Sequence, residues 1–178
     1  MKPKKSNTRE KILTAAADVA REAGPGSLSL DAVANRAGVS KGGLLYNFPS
    51  KAKLMQALVE EYLCDFQGAL ESARTEESGK SLLATYIRLS AQECDETKDA
   101  ASWIFSAIAE DPDFLTPLKT FKHQLFERLK AETPDLKALL VTYLAIEGLR
   151  SLSLFEIELL SEAERQVLVD TLLDIAKA

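Results

Sequence analysis

One glycine between two short stretches of helical apolar spacing constrains this chain more than any other feature. Ser29 is placed to cap a short helix that runs through Ala37, Gly38 can supply the left-handed backbone that ends it, and Ser40 can cap another helix only two residues later. Val33, Ala37, Val39 and Leu44 are apolar where the two helices must pack on each other and on a preceding helix, and the small Ala34 permits close approach. Two short helices joined by so tight a turn have the geometry that sets a second helix into the major groove of a duplex while the first crosses it.

The rest of the chain is helical in its spacing, with no convincing alternating strand pattern, so the fold class expected is all-α, with about nine helices. The first helix should start near Ser6 or Asn7, with Asn7 and Glu10 as a reciprocal cap, bury Ile12, Leu13, Ala16, Val19 and Ala20, and stop at Gly24-Pro25-Gly26. Pro49-Ser50 breaks the chain again, and Ser50 can cap a long fourth helix through Leu54, Leu58, Leu63 and Leu70. Later breaks fall at residues 76–79, 96–99 and 111–113, at Thr116-Pro117, at Thr133-Pro134 and just before Ser161. Thr116 and Thr133 each precede a proline suited to a first helical position, and Ser161 with Glu164 has capping-box spacing.

The outer face of the third helix carries Ser40, Lys41, Gly42, Gly43, Tyr46 and Asn47, which is chemistry suited to a groove. Lys41 can meet a phosphate or a guanine edge, Asn47 can pair with an adenine edge, and Tyr46 can donate to a phosphate. The two glycines weaken the helix by about 1 kcal/mol each relative to alanine, a cost that close backbone approach would offset. Lys51 follows at the start of the fourth helix, where the positive dipole end suits a phosphate. Charge agrees with this: the net charge is -5, yet residues 1–53 carry ten Lys and Arg against four Asp and Glu, a net of +6, which leaves -11 on the remainder. A basic head on an acidic body suits a head that meets a polyanion.

The run from Leu30-Asp31-Ala32-Val33-Ala34 through Ala37-Gly38-Val39-Ser40-Lys41-Gly42-Gly43-Leu44-Leu45-Tyr46-Asn47-Phe48-Pro49-Ser50-Lys51 resembles the DNA-binding signature of the tetracycline-repressor (TetR) family, over about Arg9 to Leu58. The resemblance implies a helix-turn-helix DNA-binding domain over residues 1–53, an effector-binding and dimerisation domain over residues 54–178, and a homodimer on a pseudo-palindromic operator in double-stranded DNA. It places Ser40, Lys41, Gly43, Tyr46 and Asn47 on DNA and Lys51 on a phosphate; Ser29 and Gly42 complete the expected interface. The chain departs from the family pattern at Leu45, where many members carry an aromatic residue, and at Asn47, where many carry histidine. Leu45 is expected to pack inward.

In the body, the helix after Pro134 is apolar on more than one stripe, which one core cannot use, so a four-helix interface between two subunits is expected. Leu140, Leu144, Gly148 and Leu152 on that helix, with Leu168 and Leu172 on the last, are the expected dimer residues. The family resemblance implies a cavity for a small-molecule effector among the middle helices, and Phe66, Tyr86, Trp103, Phe121 and Tyr143 are its expected lining, with Arg88, Gln92 and Glu147 as polar contacts. The same rings would serve equally as plain core.

Other classes are disfavoured. His123 is the only histidine and has neither a second metal ligand nor a nucleophile at a useful spacing, and Cys64 and Cys94 stand far apart, so no enzyme, no metal site and no cofactor is expected. With 46% hydrophobic and 28% charged residues and no apolar run of membrane length, no membrane partner is expected and the cytoplasm is the expected compartment. The competing reading is a non-specific architectural or protein-docking helical module.

Overall fold

A computed structural model of the chain describes residues 8–23, 28–76, 81–96 and 112–177. The described residues form eight α-helices and one 3-10 turn and contain no strand, so the fold is all-α, close to the nine helices expected. The Asn7 cap, the stop at Gly24-Pro25-Gly26, the expected helix between the breaks at 96–99 and 111–113, and Trp103 lie outside the described residues. No helix among them is long and apolar enough to cross a membrane.

The chain divides into two units, residues 1–62 with 99–118 and residues 63–98 with 119–178. In the first, α1 (Thr8–Ala23) packs on α2 (Leu30–Ala37), and α2 on α3 (Lys41–Asn47). The buried side of α1 is Ile12, Leu13, Ala15, Ala16 and Val19, an apolar stripe at helical spacing, whereas Ala20 is only half-buried. Val33, Ala34, Leu44 and Phe48 are also buried, and the Arg9 guanidinium sits 5.3 Å from the Phe48 ring centroid.

Local chemistry sets the ends of these helices. Ser29 Oγ accepts from the Ala32 N–H at 3.0 Å and Ser40 Oγ from the Gly43 N–H at 3.1 Å. Between them Gly38 adopts φ 65° and ψ 34°, and the Val39 N–H donates back to the Ala34 carbonyl at 3.0 Å, so the turn absorbs carbonyls that α2 leaves without helical partners. Ser50 Oγ then accepts from the Lys53 N–H at 3.1 Å and opens α4 (Lys51–Glu76), whose 26 residues begin in the first unit and end in the second.

The second unit holds the end of α4 with α5 (Leu82–Glu96), most of α6 (Thr116–Glu132), α7 (Leu136–Leu154) and α8 (Glu162–Ile175). Helices α5, α7 and α8 pack pairwise around a core that includes Phe66, Leu83, Tyr86, Leu129, Ile146 and Leu172. Two ion pairs tie α4 to α6, Glu71 to Arg128 at 2.6 Å and Arg74 to Glu132 at 3.0 Å, and the spacing of three residues on one helix meets a spacing of four on the other.

Two caps differ from expectation. Asp135, not Thr133, opens α7, because its carboxylate reaches two N–H groups at once, Lys137 at 2.8 Å and Ala138 at 3.2 Å, with Pro134 left outside the helix. Thr116 lies within α6, which continues directly from the 3-10 turn Pro112–Leu115. The capping box of Ser161 and Glu164 is formed as expected, and its hydrogen bonds hold the Glu164 carboxyl below the usual carboxylate range.

Candidate functional site

The turn at Gly38 presents α3 with its polar side outward. Leu44 is fully buried beneath it, while Tyr46 leaves 91% of its surface in solvent. Lys41 and Gly42 are exposed, Gly43 is half-buried, and Ser40 and Ser29 are exposed but engaged as caps. Lys41 Nζ lies 3.0 Å from Asp31 Oδ2 on α2, and Asn47 Nδ2 donates to the Gly43 carbonyl of its own helix at 2.8 Å. Asn47 Oδ1 is then the part of that amide best placed to meet an external group. Lys51 is half-buried at the start of α4.

Leu45 is 36% exposed and does not pack inward as expected. Seven residues make barely two turns, and once Leu44 and the cap at Phe48 fix the buried side of α3, the next position faces away from it. Arg36 on α2 is paired with Glu22 on α1 through both carboxylate oxygens, which raises its already high pKa.

In the second unit the structure gathers four of the five expected effector residues. Phe66 meets Tyr86 and Phe121 edge-on, with ring centroids 6.1 Å apart in each case, and Tyr86 stacks on Tyr143 at 5.7 Å. Phe66 and Tyr86 are buried, and Phe121 and Tyr143 are half-buried. Of the expected polar contacts, Glu147 is in the cluster, whereas Gln92 is exposed and Arg88 half-buried on α5. The Tyr86 hydroxyl donates to Glu147 Oε1, and Lys122 Nζ reaches both Glu147 oxygens at 2.6 Å and the Tyr86 hydroxyl at 3.2 Å. Arg150 contacts Ser90 Oγ and Glu93 Oε2, each at 3.2 Å, and lies over the Phe66 ring at 5.3 Å. Burial, reinforced by the Glu147 charge, pushes the Tyr86 hydroxyl well above its ordinary range and that of Tyr143 up to about 12. Burial, with Arg150 second, pulls Lys122 below the usual lysine value.

Lys122, Arg150, Ser90 and Glu93 escaped the sequence reading. Their signal was there: Tyr86, Ser90 and Glu93 on α5, and Tyr143, Glu147 and Arg150 on α7, both repeat at steps of four and three, a polar line along one face of each helix.

The expected dimer residues separate by exposure. Leu140 and Leu144 face solvent together with Leu136 and Val141, and Gly148 is exposed on the same helix. Leu152 and Leu168 are half-buried. Leu172 is corrected: at 2% exposure it belongs to its own unit's core, because α8 turns that stripe inward and leaves Val167 outward.

Residues 12–58 match the family described as "Bacterial regulatory proteins, tetR family", and residues 80–177 match "Tetracyclin repressor-like, C-terminal domain". The transcriptional regulator RutR of Escherichia coli K12 is 36% identical over 84 residues, which cover 47% of this chain and 40% of that relative, and RutR of Shigella flexneri matches to the same extent. Among solved structures, a TetR transcription regulator from Haloarcula marismortui superposes with a TM-score of 0.76 at 17% identity, covering 96% of each chain. The multidrug binding protein EbrR, complexed with ethidium, superposes with a TM-score of 0.70 at 17% identity, covering 96% of this chain and 99% of that one. With both parts of the family's architecture matched, the chain belongs to the tetracycline-repressor family of bacterial transcriptional regulators.

Proposed function

We propose that the chain is a sequence-specific repressor that binds a pseudo-palindromic operator as a homodimer and is released by a small-molecule effector. In this reading residues 1–53 form the DNA-binding head and residues 54–178 the sensing and dimerising body of a cytoplasmic protein. The observation that carries it is the outer face of α3, where a large aromatic side chain, Tyr46, stands in solvent beside Lys41 and the backbone of Gly42. An isolated domain gains nothing from exposing these groups, whereas a groove-bound helix uses each of them. Ser40, Gly43, Asn47 and Lys51 complete the surface, and Ser29 holds α2 at its edge.

The exposed stripe Leu136, Leu140, Val141 and Leu144 on α7, with Val167 on α8, supports dimerisation, since an apolar face of this size on a soluble regulator calls for a partner. The aromatic cluster of Phe66, Tyr86, Phe121 and Tyr143, with Trp103 as a further candidate, is the proposed effector site. The fold it shares with EbrR, which has been crystallised with ethidium and with imidazole, is one that admits a ligand. An effector that prefers one conformation of the body shifts the population of DNA-competent dimers by its difference in affinity between the two.

Binding to duplex DNA, followed as salt is raised and in competition with random duplex, tests the reading: affinity should fall steeply with salt and a selected sequence should resist the competitor. A flat salt response removes DNA binding, and full displacement by random duplex leaves an architectural module. Leu45, exposed next to Tyr46, is the one feature that favours a protein-docking role for α3, and it would account for a flat response.

A further inference from the structure

Among the described residues, the ionic network of the second unit sets Lys122 and Arg150 against Glu147 and Glu93. A charged molecule entering it must displace one of these groups, and the contacts decide which one yields. Arg150 is held by Ser90, by Glu93 and by the face of Phe66. Glu147 is held by the Tyr86 hydroxyl, carried on a fully buried ring that stacks on Tyr143, so this donor stays in place whatever Lys122 does. The Lys122 ammonium sits over the Tyr86 ring, 5.8 Å from its centroid, on a flexible four-carbon stem that is partly exposed. Burial already disfavours its charge. Of the two cations it is the one more readily returned to water.

We propose that Lys122 is an internal stand-in for the charged end of the effector, and that the ligand is a monocation with an aromatic or apolar body that displaces Lys122 and sets its charge between the Glu147 carboxylate and the Tyr86 and Tyr143 rings. The proposal rests on the effector role given to this cluster above. A cation in that position replaces the charge of Lys122 in kind and gains the Tyr86 ring face that the ammonium vacates. An anion taking the place of the carboxylate beside Lys122 would instead have to move Glu147, whose shorter stem and fixed Tyr86 donor oppose it.

Calorimetric titration of the full chain with benzyltrimethylammonium, phenylacetate and benzyl alcohol tests this with three ligands that share a benzyl group and differ in charge. The cation is expected to bind, Glu147→Gln to weaken it about tenfold or more by removing the counter-ion, and Lys122→Met to tighten it about tenfold by removing the internal competitor. Glu147→Gln keeps an acceptor for the Tyr86 hydroxyl and so tests the site without emptying it. Lys122→Met leaves a partly buried carboxylate without its ion pair, so its melting is followed as well, and the cation should raise its Tm more than it raises that of the natural chain. Binding of phenylacetate in preference to the cation, no binding of the cation, or cation binding indifferent to both substitutions would overturn the proposal. Operator release is measured separately. Cation binding without release leaves the ligand class standing and removes the effector role, whereas release driven only by the anion or the alcohol does the reverse.

Discussion

Replacing Gly38 with alanine isolates the turn on which the reading head depends. Its backbone lies at φ 65° and ψ 34°, and a Cβ built there meets nothing within 4 Å, so the substitution carries no packing penalty. What remains is the cost of holding an L-residue in the left-handed region, about 1–2 kcal/mol, against which alanine's restriction of the unfolded chain favours folding by about 0.4–1 kcal/mol. The two effects oppose each other, and the expected net loss is about 1 kcal/mol. Gly42 provides the contrast, because it lies in the first turn of α3 with only Ser40 Oγ near a built Cβ, at 4.0 Å. There alanine should stabilise, by up to about 1 kcal/mol, while impairing DNA binding if the backbone of α3 approaches the duplex. Denaturant titration of both variants, followed by circular dichroism, reads the two signs against the natural chain. A Gly38→Ala variant as stable as the natural chain, or more so, would refute the left-handed turn and with it the angle between α2 and α3. A loss beyond about 3 kcal/mol would mean a steric contact where the structure has open space.

Leu144→Glu, at a position 65% exposed, should leave the helix content unchanged and shift the chain toward monomer in sedimentation velocity; a persistent dimer would move the interface off α7. Tyr143 keeps its proton in the folded chain up to about pH 12 because of burial and the Glu147 charge, while the unfolded chain loses it near the ordinary value of about 10. Stability should therefore fall as pH rises through that window, and Tyr143→Phe should flatten this limb of urea titrations; equal limbs in both proteins would contradict the burial of the hydroxyl. Asp31→Asn, which releases Lys41 and removes a negative charge from the head, should strengthen binding to all duplexes by a few-fold and leave sequence preference unchanged; an altered preference would make Asp31 part of the readout.

What was legible in the sequence was what is local. Ser29, Gly38, Ser40, Ser50 and Ser161 each act on residues at most four positions away, so side-chain type and spacing were sufficient to place the helix ends they govern. Which stripe of a helix turns inward is not local. Leu45 and Leu172 are both apolar at helical spacing, and only the packing of the neighbouring helices puts the first in solvent and the second in the core. The aromatic members of the candidate cluster were legible as large apolar residues on middle helices, but its charges were not, since Lys122 and Glu147 are 25 residues apart and on different helices. Lys122, next to His123 in a run with other polar residues, reads as surface until Tyr86 and Glu147 are seen beside it.

The two candidate sites share a device and differ in what it costs to undo. In the head, Asp31 holds Lys41 where a phosphate would, but both side chains are more than half exposed, so the pair is screened and worth at most about 1 kcal/mol. A phosphate can take the place of Asp31 at almost no cost, which leaves salt concentration as the main control on that exchange. In the body, Lys122 and Glu147 are only 23% and 25% exposed, and the Tyr86 hydroxyl shares the same carboxylate. Removing one partner there leaves the other charge poorly solvated unless the incoming group replaces it in kind. An apolar molecule of suitable shape could enter beside this pair but would have no reason to separate it. The half-buried pair thus imposes a requirement on charge in addition to fit, and that requirement is what would let a regulator of this architecture ignore neutral molecules of the same size.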